Sequence, residues 1–123
     1  MMERLIIKLM LTGFVAIFAS CYYNSEEDLY PASECTTTNM SFVTNIQPIF
    51  ERNCFSCHSA AANTANVTLE GHGNVMNHVN SGRLLGAINH QPGFTPMPQG
   101  ASKLIPCDIA KIEQWIADGA PNN

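Results

Sequence analysis

The first helical pattern in the chain comes from three apolar residues. Ile46, Ile49 and Phe50 recur at i, i+3 and i+4, which places them on one face of a helix. Pro48 then falls in the first turn, where its missing N–H costs little. Thr44 is positioned to cap this turn. The pattern predicts a short amphipathic helix near the start of the folded region.

A longer helical pattern lies near the end of the chain and predicts a helix over Cys107–Asp118. Asp108 favours the positive end of the helix dipole, and Gly119 is a natural stop. The apolar face follows i, i+3, i+6 and i+7 and consists of Ile109, Ile112, Trp115 and Ile116.

The region between these helices, Ser59–Lys103, is rich in Gly, Asn and Pro and predicts loops with short helical turns. Val75, Met76 and Val79 indicate one such turn, and Leu84–Ile88 indicates another. Neither an internal repeat nor a sustained strand pattern is present in the sequence. The sequence therefore predicts an all-α domain over residues 41–123.

The first twenty residues have the pattern of an export signal. Arg4 and Lys8 precede a continuous apolar or small segment, Leu9–Ala19, which is short for a membrane span. The segment ends in FASC, which resembles the lipobox of bacterial lipoproteins, so Cys21 is expected to carry the lipid. The alternative is an uncleaved single-helix anchor. Both possibilities predict an exported protein that is tethered to a membrane and faces the periplasm or the cell surface.

Residues 21–40 differ in composition from the rest and predict an acidic, flexible tether. The segment Ser25–Asp28 resembles acidic surface-export signals of Bacteroidetes-type lipoproteins, although a solvated spacer has the same composition. The whole chain has a net charge of −4. Five acidic and four basic residues follow Met40, so the domain itself is close to −1. No basic run is present, which argues against a nucleic-acid partner.

The chemistry of the chain is concentrated in the sequence CFSCH, residues 54–58. CxxCH is the pattern by which c-type haem is attached. The thiols of Cys54 and Cys57 would add across the two vinyl groups of one porphyrin, and the imidazole of His58 would ligate the iron. A helix that ends at Asn53 would present this segment rigidly.

Two cysteines at this spacing also occur outside haem proteins. A redox disulfide of the thioredoxin type requires a βαβ unit, and the sequence has none. A zinc site requires two more ligands, for which the chain offers Cys35, Cys107, His72, His78 and His90. Chance occurrence is the third possibility.

The second axial position of a haem iron also has a candidate ligand. Met97 lies between Pro96 and Pro98, whose fixed φ angles stiffen the loop. A thioether sulfur suits haem iron and raises its reduction potential. The rivals are His72, His78 and His90, with His90 first, or an open site. Met40 and Met76 lack such a frame and are expected to be packing residues.

Three segments together resemble a class I cytochrome c domain, in particular the small cytochrome lipoproteins of Bacteroidetes-type and planctomycete-type bacteria. They are SFVTNIQPIFERNCFSCH, RLLGAINHQPGFTPMPQGASKL and DIAKIEQWIADGAPNN, and the resemblance covers Ser41–Asn123. It implies a few short helices wrapped round one covalent haem, with the first and last helices crossing. It also implies that Phe50 meets Trp115 or Ile116 at that crossing. The implied ligand residues are the two thioether cysteines Cys54 and Cys57, the proximal His58 and the distal Met97.

The two remaining cysteines are Cys35 and Cys107, in a compartment that permits disulfides. The crossing-helix fold that the resemblance implies can bring them close together, and free thiols are disfavoured outside the cytoplasm, so we expect a disulfide between them. Two free thiols, or a bond to a partner chain, are the alternatives.

The sequence thus predicts a monohaem electron carrier that passes single electrons between redox proteins, with no catalytic residue and no small-molecule substrate. A second hypothesis is a haem sensor or peroxidase-like protein with an open sixth site, for which His90 and Arg83 are the candidate distal residues. A third is a zinc-binding or purely structural lipoprotein.

Overall fold

The structure is a computed structural model that describes residues Cys35–Asn123. The export signal (1–20), the lipidation candidate Cys21 and the tether up to Glu34 lie outside the described residues. The described unit includes the last part of the predicted tether. Met40 is 5% exposed and belongs to the core, as expected of a packing residue.

The described residues form helices joined by loops, and no strand is present in residues 35–123. The all-α prediction is confirmed for this part of the chain. In chain order the elements are a π-helical turn (Phe42–Ile46), α1 (Gln47–Asn53), α2 (Phe55–His58), a 3-10 turn (Thr64–Asn66), α3 (His72–Asn80), α4 (Arg83–Ile88) and α5 (Pro106–Ala117).

The amphipathic pattern near the start of the domain is confirmed. Ile46, Ile49 and Phe50 are all buried, with exposures of 0%, 2% and 0%. Pro48 lies in the first turn of α1, where no helical hydrogen bond is lost. The helix ends at Asn53, immediately before the CxxCH motif, as predicted.

The prediction that Thr44 caps this helix is wrong. The helical segment begins earlier, with the π-helical turn, and Ser41 is its N-cap residue. The Ser41 hydroxyl accepts a hydrogen bond from the Thr44 N–H at 3.3 Å. The earlier start has a packing reason, because Phe42 is 2% exposed and extends the buried face by one turn.

The C-terminal helix α5 matches its predicted range closely. Ile112 and Trp115 are fully buried at 0% exposure. The helix ends in a Schellman motif: the Gly119 N–H donates to the Ile116 carbonyl at 3.0 Å, and the Ala120 N–H donates to the Trp115 carbonyl at 2.9 Å. Gly119 has a φ of +91°, which explains why glycine ends the helix there.

The first and last helical segments meet through aromatic rings. The Trp115 ring lies 5.6 Å from the Phe42 ring and 5.9 Å from the His72 ring, measured between centroids. Phe50, which the resemblance placed against Trp115, belongs to the same buried cluster. Phe42 lies in the additional helical turn that the sequence pattern missed. Its ring therefore provides an aromatic contact between the first and last helical segments.

The middle region contains the two short helices that the sequence predicted. α3 includes Val75, which is fully buried, together with the partly buried Met76 and Val79. α4 buries Leu84 and Ile88. The two helices pack against each other.

Two contacts fix the start of α5 to the N-terminal part of the domain. The sulfurs of Cys35 and Cys107 are 2.09 Å apart, and their Cα atoms are 5.5 Å apart, which places the pair at disulfide distance. The Arg52 guanidinium also lies 3.6 Å from the buried carboxylate of Asp108, in the first turn of α5. The helix dipole favours an acidic residue at this position.

Within residues 35–123, none of the helices has the length and apolar character needed to cross a membrane.

Replacing Cys35 and Cys107 by Ser together is expected to lower the free energy of unfolding by about 4 kcal/mol, because the bond closes a loop that spans 72 residues. Denaturant titration of the variant and the wild type measures this difference. Reduction of the wild type should give the same loss, and reduction should leave the double variant unchanged. Equal stabilities, or two free thiols in the untreated wild type, would contradict the assignment.

Candidate functional site

The CxxCH motif forms a helical turn that continues directly from α1. The Cys54 N–H donates to the Phe50 carbonyl at 2.8 Å, and the His58 N–H donates to the Cys54 carbonyl at 2.8 Å. Because Phe50 is anchored in the core, the motif is held in a fixed position relative to the rest of the domain. Cys54 is partly buried, Cys57 is exposed, and neither is bonded to another cysteine.

The environment of Cys54 disfavours redox chemistry at this motif. Burial raises the pKa of the Cys54 thiol to about 11, so the group is a neutral thiol at physiological pH. A redox-active CxxC requires a thiolate with a lowered pKa. The described residues also lack strands, which the thioredoxin-like alternative requires.

His58 is held by the segment that follows the motif. Its Nδ1 atom lies 3.2 Å from the carbonyl oxygen of Val67, and its own carbonyl accepts a hydrogen bond from the Leu69 N–H at 2.8 Å. When Nδ1 carries the proton and donates to Val67, Nε2 keeps its lone pair. This arrangement prepares a neutral imidazole to bind a metal through Nε2.

Met97 is held through its backbone. Its N–H donates to the Ala87 carbonyl in α4 at 3.0 Å, and its carbonyl lies 3.0 Å from Nε2 of His90. Pro96 and Pro98 flank it in the chain. Both backbone polar groups of Met97 are therefore tied to α4 and the residues just after it.

One cavity brings the predicted ligand residues together. It has a volume of about 340 Å³ and mainly apolar walls, properties that are typical of cofactor and ligand sites. All four residues expected to hold haem line it: Cys54, Cys57, His58 and Met97. The apolar part of the wall includes Val67, Leu69, Leu84, Ala87, Ile88, Phe94 and Leu104.

The histidines that rivalled Met97 have different positions. His72 donates a hydrogen bond from Nε2 to the Ala120 carbonyl, 2.8 Å away, and its ring packs edge-on against Phe42 of the core. His90 bonds to the Met97 carbonyl and is not among the residues that line the cavity. His78 does line it. Burial and, after it, the positive charge of Arg83 lower the pKa of His78.

Several residues of the site gave no signal in the sequence. The Val67 carbonyl acts through its backbone, so no side-chain pattern identifies it. Phe94 is the nearest neighbour of Gly86, and that contact depends on how the loop folds back. The sequence suggested His90 only as a ligand, whereas in the structure it supports Met97.

The residues that line the cavity fit a haem. Imidazole and thioether are ligands that haem iron accepts, and the mainly apolar wall suits a porphyrin. Haem also carries two carboxylates, and the lining includes the basic side chain of Arg83. Zinc fits less well, because Cys35 and Cys107 pair with each other. In residues 35–123, moreover, His, Cys, Asp and Glu side chains do not gather in groups of three or more that could hold a metal ion.

In comparisons with known proteins, no family model, no curated protein and no solved structure matches the chain.

Proposed function

We propose that the protein is a monohaem c-type cytochrome that carries single electrons. The observation that carries this proposal is the meeting of Cys54, Cys57, His58 and Met97 at one cavity with mainly apolar walls. Cys57 and Met97 are forty residues apart in the chain, so their common location is a property of the fold. A chance CxxCH sequence would not require a thioether side chain in the same cavity.

The roles of the residues follow from their chemistry. Each thiol of the motif would add across a vinyl group, with one sulfur–carbon bond formed and the thiol hydrogen passing to the other vinyl carbon. The covalent bonds would retain the cofactor outside the cytoplasm. When bound, haem would supply an iron that takes up and releases one electron.

The two axial residues would keep the coordination unchanged between oxidation states. His58 is oriented by the Val67 carbonyl, and Met97 is held by the Ala87 carbonyl. Fixed ligands and apolar walls limit the rearrangement that accompanies electron transfer. The soft sulfur of Met97 would raise the reduction potential relative to a second imidazole.

We further propose the class I cytochrome c fold for the domain. The supporting observations are the all-α architecture, the contact between Phe42 and Trp115 at the two ends of the domain, and the motif directly after the first helix. An electron carrier of this kind needs a redox donor and a redox acceptor and has no catalytic residue of its own. Export, with a lipid on Cys21, would place it at a membrane and facing the periplasm or the cell surface.

The geometry favours the carrier over a haem sensor or peroxidase-like protein. That alternative needs an open sixth position with a polar distal residue. Arg83 lines the cavity, but His90 bonds to the Met97 carbonyl instead of facing the cavity. Met97 lines the cavity and would occupy the position that this alternative needs to be open.

Replacement of Met97 by Ala in the haem-loaded protein should abolish the far-red ferric band of a sulfur–iron bond. It should also lower the reduction potential by at least about 60 mV, the equivalent of tenfold in a one-electron equilibrium. Redox titration with absorption spectroscopy measures both. Met76→Ala is the matched control, because Met76 packs on the core and does not line the cavity. The same loss in both variants, or in neither, would contradict the role of Met97.

The rate of electron exchange with an anionic iron complex should change less than about twofold between low and high salt, because the domain is nearly neutral. Stopped-flow kinetics on the Cys35–Asn123 domain, which leaves out the four acidic residues of the tether, measures this. Adding lysines at the exposed cavity residues Ser56 and Gln99 (S56K/Q99K) should introduce a clear salt dependence. A steep dependence in the wild type would show that charge guides docking.

A further inference from the structure

We infer that Gly86, Phe94 and His90 form a latch that positions Met97 and controls how readily another ligand can replace its sulfur. This inference rests on the proposed function, since it concerns the same site. The three residues, called the Met97 latch below, are positioning residues: none of them is an expected iron ligand.

The part of the loop from Gln91 to Met97 is attached to α4 at both of its ends. At its start, the Gln91 N–H donates to the Gly86 carbonyl at 2.9 Å. At its end, the Met97 N–H donates to the carbonyl of the next helical residue, Ala87, at 3.0 Å. Two neighbouring carbonyls of one helix therefore fix this segment, and a displacement of the Met97 backbone away from α4 must break the second of these bonds.

A close contact between α4 and Phe94 holds the middle of this segment. Gly86 is buried in α4, and a Cβ atom at this position would overlap the ring of Phe94. Real Cβ atoms do not approach an aromatic ring so closely, so only glycine permits the ring to rest here. The Phe94 ring also lines the cavity. The contact thus connects the helix, the loop and the cavity wall.

His90 adds the third constraint. Its Nε2 atom lies 3.0 Å from the Met97 carbonyl, which it can reach as an N–H donor. Its backbone has a φ of +51°, a conformation that is unfavourable for a residue with a side chain. Histidine is among the residues found more often than most in this region of backbone conformation. The hydrogen bond to Met97 gives it a further physical reason to be at this position.

These contacts act on ligand exchange because an external ligand must first displace the Met97 sulfur. The latch opposes that displacement by holding the backbone on both sides of the side chain. A weaker latch should leave the haem attached, since Cys54 and Cys57 lie on a different segment, and should let external ligands bind more tightly.

The test is an imidazole titration of the ferric holoprotein, made from the full mature chain and followed by loss of the far-red sulfur–iron band. His90→Ala and Gly86→Ala should each bind imidazole about tenfold more tightly than the wild type, which is the effect of losing one ordinary hydrogen bond or contact. His90→Gln should stay within about threefold of the wild type, because its amide N–H can replace Nε2–H. Phe94→Ala tests the same contact if Gly86→Ala does not accumulate.

Two matched controls separate positioning from general stability. His72→Gln alters a histidine that also bonds a backbone carbonyl, that of Ala120, but lies away from the cavity. It should lower the unfolding temperature without changing imidazole affinity. Gly73→Ala alters a helical glycine that has open space around its Cβ position. It should leave the imidazole affinity unchanged and should not lower the unfolding temperature.

The outcomes distinguish the two proposals. A wild type without covalent haem would overturn the proposed function, and the latch with it. Covalent haem with unchanged imidazole affinity in His90→Ala and in both variants of the Gly86–Phe94 contact would overturn the latch alone. Tighter imidazole binding in His72→Gln as well would assign the effect to stability and also overturn the latch. Tighter binding only in the latch variants, with rescue by His90→Gln, supports it.

Discussion

The attachment of the CxxCH turn to the core is the constraint on which the rest of the site depends. The Cys54 N–H donates to the carbonyl of Phe50, a residue with no exposed surface. The motif is therefore held in place by the buried face of the helix. The segment Val67–Leu69 then holds His58 through both its ring and its carbonyl. An imidazole fixed in this way would lose little conformational entropy on binding iron. It would therefore bind more favourably than the same side chain without these hydrogen bonds.

The second wall of the site is built by different means. Met97 has no regular secondary structure of its own, and its position comes from α4, whose carbonyls and buried Gly86 receive the loop. The site therefore combines a helical turn, fixed by local hydrogen bonds, with a loop fixed by contacts to a neighbouring helix. Local opening is expected first at the loop, because fewer buried contacts hold it.

Much of the fold could be predicted from sequence, because a helical period shows directly in apolar spacing. The buried positions Ile49, Phe50 and Trp115 followed from that spacing. The start of the first helix did not, because the packing of Phe42 against Trp115 overrides the local preference for a cap at Thr44. For the site, CxxCH and the proline-flanked Met97 were visible as motifs. The role of His90 was hidden, since its bond depends on how a loop returns to α4.

The most direct test of haem attachment is an absorption spectrum of the Tyr22–Asn123 form, produced with a bacterial c-haem maturation system and recorded in the ferric and dithionite-reduced states. We predict sharp reduced bands that persist after denaturation, because thioether bonds would keep the haem attached, and a weak far-red ferric band from the sulfur of Met97. A colourless protein would contradict the proposed function and return the CxxCH motif to metal binding or chance.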